Sequence, residues 1–182
     1  PPTEIESFSS IRALYKSQEP DIAIIDIGAV SSKLFISRKG LLMRMHRIRA
    51  GGAIATKQIS DTLGMDFETA EQMKYEADST HEQFADMKRA HHSSFDRAFR
   101  EFRQVIQEYE TKTGVKLNSI YLSGGGALFP GVDTHLADAL GREVSIANPF
   151  SKVAYPAFME DTMRSIGPSF TVALGAALRV FE

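Results

Sequence analysis

Two short apolar segments, each followed directly by a glycine turn, constrain the fold more than any other feature of the sequence. Residues 22–25 form an uninterrupted apolar run that is too short for a helix and is typical of a central strand buried on both faces. The turn at residues 26–28 follows it. Residues 119–123 form a second such strand, which leads into three consecutive glycines at 124–126. We therefore expect a sheet whose inner strands end in tight turns.

The rest of the chain alternates between strand-like and helix-like patterns. Apolar residues recur at helical spacing in six segments, and shorter β-rich segments are bounded by turn residues. The pattern predicts helices at 3–17, 54–63, 66–77, 80–111, 132–140 and 169–179, and further strands at 32–37, 41–48 and 144–146. This order predicts an α/β sandwich, and the hairpin formed by residues 32–48 makes its sheet mixed rather than purely parallel.

Composition excludes several classes of partner and location. The 182 residues carry a formal net charge of -2, so we expect no nucleic-acid partner. The absence of cysteine excludes disulfides and is compatible with a reducing, cytoplasmic environment. Apolar runs are far shorter than the roughly 20 residues that span a bilayer. The chain begins at Pro1 with neither an initiator methionine nor a signal sequence, which predicts a piece of a longer protein.

The turn after the first strand has the residues of a phosphate and metal site. Asp26 stands at the carboxyl end of the strand, and Gly28, Ser31 and Ser32 follow it. A carboxylate in this position suits a hydrated Mg²⁺, while backbone N–H groups and hydroxyls suit phosphate oxygens. The alternative is an acid that simply caps a hairpin turn.

The triple glycine is a second candidate for ligand contact. Consecutive glycines are required where side chains would obstruct a close approach by backbone or ligand. Gly124, Gly125 and Gly126 lead straight into an ordered helical pattern, which favours a backbone surface for a nucleotide over a flexible turn. No Gly-Lys-Ser/Thr sequence follows, so this is not a Walker loop.

A pair of charged residues lies between the two turns. Glu71 and Lys74 are three residues apart on the helical segment that follows Gly51-Gly52, so both side chains can point toward one partner. A solvated ion pair within the helix is the alternative interpretation.

Two other groups of polar residues point to function less strongly. His91, His92 and Asp96 have the spacing of metal ligands, but we expect them on the polar side of a long surface helix. The hairpin is basic, with few interleaved aromatic residues, and is predicted to be a solvated face rather than a nucleic-acid platform. Its basic residues are Arg38, Lys39, Arg44, Arg47 and Arg49.

In combination, these elements resemble the second half of the actin, sugar-kinase and heat-shock-chaperone superfamily, and most closely the PilM family of type IV pilus assembly. Residues 26–33 could also match the first phosphate motif of such proteins, but no further Asp-x-Gly strand occurs between 33 and 123. The segments that carry the resemblance are 26–32, 47–52, 70–74, 122–131, Asn148-Pro149-Phe150 and 166–178.

The resemblance implies a fold and a ligand. It implies an α/β actin-like ATPase (ribonuclease H-like) lobe with a mixed five-stranded sheet flanked by helices. Residues 1–182 would be the second lobe, residues 51–112 its helical subdomain, and the first lobe would be absent. The implied cofactors are ATP and Mg²⁺, with the metal held by Asp26 through water. The residues implied to bind the nucleotide are Asp26, Gly28, Ser31, Ser32, Gly51, Gly52, Glu71, Lys74, Gly124, Gly125 and Gly126.

The resemblance also implies a biological role. It implies an ATP-binding cytoplasmic scaffold, peripheral at the inner membrane through PilN-like platform proteins, with possible self-association. Hydrolysis would be weak and would require the missing lobe. Three alternatives stay open at this stage: an FtsA-like division filament, a sugar or acetate kinase, and a degenerate lobe that acts only in protein contacts.

Overall fold

A computed structural model describes residues 5–76 and 78–181 as a mixed five-stranded sheet with helices on both faces. The spatial order of the strands is β3-β2-β1-β4-β5. The strands are β1 Asp21–Ile27, β2 Ser32–Arg38, β3 Leu41–Ile48, β4 Ser119–Ser123 and β5 Ser145–Ile146. Strand β1 pairs antiparallel with β2 and parallel with β4, which confirms the predicted mixed sheet.

The described ranges contain six α-helices in addition to this sheet. They are α1 Glu6–Leu14, α2 Gly52–Leu63, α3 Phe67–Tyr75, α4 Phe84–Thr113, α5 Val132–Leu140 and α6 Glu160–Leu178. Helices α4 and α5 contribute to the core on one face, while α1 covers the other face and packs against α6. No helix in the described ranges has the length and apolar character needed to cross a bilayer.

The aromatic stripe on α4 determines how this helix lies on the sheet. Phe95, Phe99 and Phe102 are fully buried against apolar side chains of β1 and β2, as their helical spacing predicts. Gly114 adopts a left-handed conformation immediately after the helix and ends it. Near that end, the buried carboxylate of Glu110 accepts hydrogen bonds from Arg142 and from the Leu117 amide.

The helix predicted at 3–17 is wrong in its length and in part of its buried face, for which the apolar spacing predicts Ile5, Phe8, Ile11, Leu14 and Tyr15. Helix α1 ends at Leu14 because Tyr15 is extended, and residues 3 and 4 lie outside the described part of the chain. Ile5 and Phe8 are exposed, whereas three serines are buried beside Ile11 and Leu14. Ser9 lies where α1 crosses α6 at Gly175, a close contact that an apolar pattern alone does not reveal.

The last helix begins nine residues earlier than the predicted start at residue 169. It runs from Glu160 straight through Pro168, although proline usually kinks or breaks a helix because it lacks an N–H group. Pro168 is buried, and its carbonyl accepts a hydrogen bond of 2.9 Å from the amide of Gly124. The proline therefore lies where α6 contacts the triple glycine.

The basic hairpin is not wholly a solvated face. Arg44 pairs with Glu108 at 3.1 Å, and His46 pairs with Glu101 at 2.7 Å. Both acids belong to α4. Arg44 and His46 can reach them because the register of β3 with β2 turns these two side chains toward that helix. Leu41, Met43, Met45 and Arg47 are the exposed residues of the strand.

We predict that Gly175→Ala destabilises the crossing of α1 and α6. A Cβ atom at Gly175 would stand 1.9 Å from the Ser9 carbonyl oxygen. Alanine in an ordinary helix stabilises by about 1 kcal/mol relative to glycine, whereas overpacking costs about 1–3 kcal/mol. Urea denaturation should therefore show a net loss of stability. Ala176→Ser, at the exposed neighbouring position, is the control. A gain of stability in Gly175→Ala would contradict the close crossing of α1 and α6.

Candidate functional site

Three turns meet at the carboxyl end of β1. The first is the hairpin turn at residues 28–31, the second is Gly51-Gly52, and the third is residues 124–126. The amide of Gly52 donates to the Gly28 carbonyl at 2.9 Å, and the amide of Ala53 donates to the Ala29 carbonyl at 2.8 Å. The first two turns are thus joined by backbone hydrogen bonds.

Three of these glycines are required by packing. A Cβ atom would lie 2.6 Å from the Gly28 oxygen at Gly51, 2.4 Å from the Ile27 oxygen at Gly124, and 2.2 Å from an Ile27 methyl carbon at Gly126. Gly124 also has a φ of +87°, which disfavours any other residue. These glycines allow the turns to pack directly on the end of β1.

Gly52 and Gly125 have no such packing requirement. The nearest atom to an added Cβ would be Lys74 Nζ at 3.5 Å for Gly52 and Ser169 Oγ at 3.9 Å for Gly125. Neither residue has a positive φ. Both line the same cavity. The absence of side chains at these two positions therefore keeps space open in the cavity and is not required for packing.

The cavity has a volume of about 460 Å³ and combines turn backbone with aromatic and charged side chains. Its walls come from the first and third turns, from the start of α2, and from α3 and α4. The residues that line it are Gly28, Ala29, Gly52, Ala53, Phe67, Glu71, Lys74, Tyr75, His91, Gly125, Gly126, Leu128 and Phe129. The structure therefore brings Gly28, Gly52, Glu71, Lys74, Gly125 and Gly126 together from the predicted set. The other predicted residues do not line the cavity; they are Asp26, Ser31, Ser32, Gly51 and Gly124.

Glu71 and Lys74 form a half-buried ion pair that is tied to α2. Lys74 Nζ lies 2.7 Å from Glu71 Oε2, 2.7 Å from Thr56 Oγ1 and 3.3 Å from the Gly52 carbonyl oxygen. Burial alone would raise the pKa of Glu71, but hydrogen bonds from Lys74 and Thr56 outweigh it and lower that pKa. Sequence reasoning missed Thr56, whose only signal is its place in the first turns of the helix after the double glycine.

Asp26 is buried directly behind the third turn. Burial raises the pKa of its carboxyl group, against the attraction of Lys33. Ser123 lies 3.5 Å away, and an added Cβ at Gly124 would come within 2.6 Å of Asp26 Oδ1. One carboxylate beside turn backbone fits the usual binding of Mg²⁺, which keeps several waters and takes one or two protein carboxylates together with phosphate oxygens.

The two serines of the first turn are held by the protein itself. Ser32 is fully buried, and its hydroxyl donates to the Ala50 carbonyl. The hydroxyl of Ser31 accepts a hydrogen bond of 3.1 Å from Arg47. In this structure both hydroxyls fix the turn and the strand end next to the cavity.

The prediction that His91 lies on the polar side of α4 is wrong. His91 is 1% exposed, and its ring stacks on Phe129 with centroids 3.7 Å apart. It stands four residues before Phe95 on the buried stripe, so its helical spacing could have revealed this. Within the described ranges, no group of three or more histidine, aspartate or glutamate residues is arranged to hold a metal ion.

Comparison with known proteins identifies the family. The sequence profile of the type IV pilus assembly protein PilM family matches residues 5–181. The chain belongs to the PilM family. A solved PilM-PilN type IV pilus biogenesis complex is similar over 100% of this chain and 53% of that chain, with 25% identity and a TM-score of 0.81. The chain therefore spans about half the length of that PilM-type structure.

More distant structures share the fold of this PilM-family chain. EutJ, an ethanolamine utilization protein from Carboxydothermus hydrogenoformans, is 20% identical, with a TM-score of 0.73 over 96% of this chain and 54% of its own. MreB5 of Spiroplasma citri bound to AMPPNP is 18% identical, with a TM-score of 0.69 over 98% and 58%. A sequence comparison with curated proteins finds no significant match.

We predict opposite results for alanine at neighbouring glycines of the third turn in this PilM-family chain. Gly124→Ala should lose at least about 2 kcal/mol because of its positive φ and its overlap with Ile27. Gly125→Ala should change stability by less than about 0.5 kcal/mol. Urea denaturation of both variants measures the difference, and equal losses would contradict the division of the glycines into two roles.

Proposed function

We propose that this chain binds ATP with Mg²⁺ in the described cavity, as the nucleotide-binding half of a PilM-family protein. The observation that carries the proposal is the pair Gly52 and Gly125, which line the cavity without any packing reason to lack side chains. Glycine at such positions permits the backbone to approach a ligand closely. The resemblance of the turns to the phosphate and adenosine motifs of actin-like proteins supports the same conclusion.

Each part of the cavity has a proposed contact with the nucleotide. Backbone N–H groups of the first and third turns meet the phosphates. Asp26 holds Mg²⁺ through water, and the metal neutralises phosphate charge when it is bound. The hydroxyl of Ser31 belongs to the turn that meets the phosphates, whereas Ser32 stabilises that turn through its hydrogen bond to the Ala50 carbonyl. Glu71 and Lys74 meet the ribose or the adenine.

The ion pair between Glu71 and Lys74 on α3 is already formed in this structure. Lys74 already bonds to Glu71, to Thr56 and to the Gly52 carbonyl, so both charged groups are oriented before any ligand enters. A preorganised pair costs less side-chain entropy on binding than two free surface groups. Thr56 therefore acts in this proposal as the residue that positions Glu71 and Lys74.

Turnover is a secondary part of the proposal. The chain spans 53% of the PilM-type structure, and proteins of this fold hold nucleotide in a cleft between two lobes. MreB5, which shares the fold, has been solved with AMPPNP. We accordingly assign binding to this half and weak hydrolysis only to the intact protein.

The test of ATP binding uses the intact protein and its Gly125→Asp variant. An added Cβ at Gly125 has only Ser169 Oγ nearby at 3.9 Å, so the aspartate should be tolerated by the fold while placing a negative charge where phosphate would bind. We expect at least a tenfold loss of ATP affinity by calorimetry with Mg²⁺ present. Ala176→Asp, which adds the same charge on an exposed face of α6, is the matched control. Equal affinities of all three proteins would refute this site.

We propose a scaffold role in type IV pilus assembly for the same protein. The family match supports it, and so does the similarity to a PilM-PilN complex. In this role the protein is cytoplasmic and reaches the inner membrane through a PilN-like partner. The family match also favours this role over the FtsA-like filament alternative.

We predict that the intact protein co-elutes with a PilN-like protein from the same organism in size-exclusion chromatography. The Gly125→Asp variant should co-elute as well if the nucleotide site and the partner surface are separate. Light scattering of the protein alone measures self-association. Failure of the wild-type protein to co-elute, with and without ATP, would contradict the scaffold role and leave the nucleotide site standing.

A further inference from the structure

A neutral, fixed histidine ring forms part of the cavity wall. His91 lines the cavity together with Phe129, and their rings are stacked at an interplanar angle of 7°. Phe95 packs on the same imidazole at a centroid distance of 5.2 Å. The ring is therefore held in one orientation by aromatic contacts from α4 and from the segment before α5.

The surroundings of His91 keep this ring uncharged. Burial, together with the charges of His92, Lys74 and His135, lowers the pKa of His91 to about 3. At neutral pH the imidazole consequently offers one hydrogen-bond donor and one acceptor. The neutral imidazole therefore provides no positive charge to attract phosphate.

One nitrogen of this ring lacks a hydrogen-bond partner among the described residues. His91 Nδ1 is buried and makes no hydrogen bond with any residue in the ranges 5–76 and 78–181. Buried polar atoms are nearly always paired in folded proteins, and exceptions often mark functional sites. The aromatic contacts explain the plane of the ring, but they leave this polar atom of a cavity-lining residue without a role.

We propose that His91 contacts the base of the bound nucleotide and determines the preference for adenine; this inference rests on the proposed function. Aromatic and apolar neighbours suit a flat base better than a sugar or a phosphate. Phe67, Tyr75 and Phe129 all line the same cavity. A base edge presents donors and acceptors that a neutral imidazole can match, while Glu71 and Lys74 suit the ribose hydroxyls.

The test compares His91→Phe with His92→Phe in the intact protein. His91→Phe keeps an aromatic ring for the stack on Phe129 and removes both nitrogens. His92 is the matched control because it is adjacent on α4, stacks on His135 instead, and does not line the cavity. Calorimetry measures the affinities for ATP, for GTP and for base-free ribose 5-triphosphate, all with Mg²⁺.

Loss of one hydrogen bond to the base should weaken ATP binding about tenfold in His91→Phe. The preference for ATP over GTP should fall with it, while the affinity for ribose 5-triphosphate should not change. His92→Phe should behave like the wild-type protein. An unchanged ratio of ATP to GTP affinity in His91→Phe would overturn this inference alone. Absence of nucleotide binding by the wild-type protein would overturn the proposed function as well.

A spectroscopic measurement on the wild-type protein decides the matter if His91→Phe does not fold. The nitrogen resonances of the His91 imidazole should shift when ATP is added, because a new hydrogen bond changes their shielding. Ribose 5-triphosphate should leave them in place. Equal shifts with both ligands, or no shift with either, would overturn the base contact.

Discussion

Direct packing of backbone on backbone at the end of β1 is the constraint on which the rest of the structure depends. The third turn packs on Ile27 because Gly124 and Gly126 have no side chains, and the second turn packs on the first because Gly51 has none. Any Cβ atom at these places would come within 2.6 Å of a neighbouring atom. The turns therefore approach each other closely enough for their backbone to form one wall of a cavity.

This contact also fixes the helices around the site. The amide of Gly52 bonds to Gly28 at the beginning of α2, and the amide of Gly124 bonds to Pro168 within α6. Helix α6 in turn crosses α1 at Gly175, where only glycine fits. Both faces of the sheet are thus connected to the strand end that carries Asp26. A change in how the turns pack would be transmitted to α2 and α6.

The sequence was sufficient to predict the parts of the fold that depend on local pattern. The sheet strands, the aromatic stripe of α4 and the turn glycines follow from periodicity and from backbone sterics. Tertiary contacts decided the rest. Helix α6 continues through Pro168 because the helix is buried against the third turn. Local sequence rules do not predict this tertiary contact. Phe129 lines the cavity, and Thr56 bonds to Glu71 and Lys74, through the packing of segments that are distant in sequence. The polarity of His91 favours a surface position in the sequence, whereas its helical spacing favours the buried stripe.

The charges around the cavity determine how a nucleotide could be held there. Glu71 and Lys74 are the charged side chains that line it within the described part of the chain, and they neutralise each other at 2.7 Å. A triphosphate therefore meets no net positive charge from these side chains. In the proposed site, turn N–H groups and Mg²⁺ near Asp26 would balance its charge, since bound cations are often the largest local charges in such sites. In the proposed site, selectivity for the nucleoside would then depend on neutral contacts with the cavity wall, to which the His91 ring belongs.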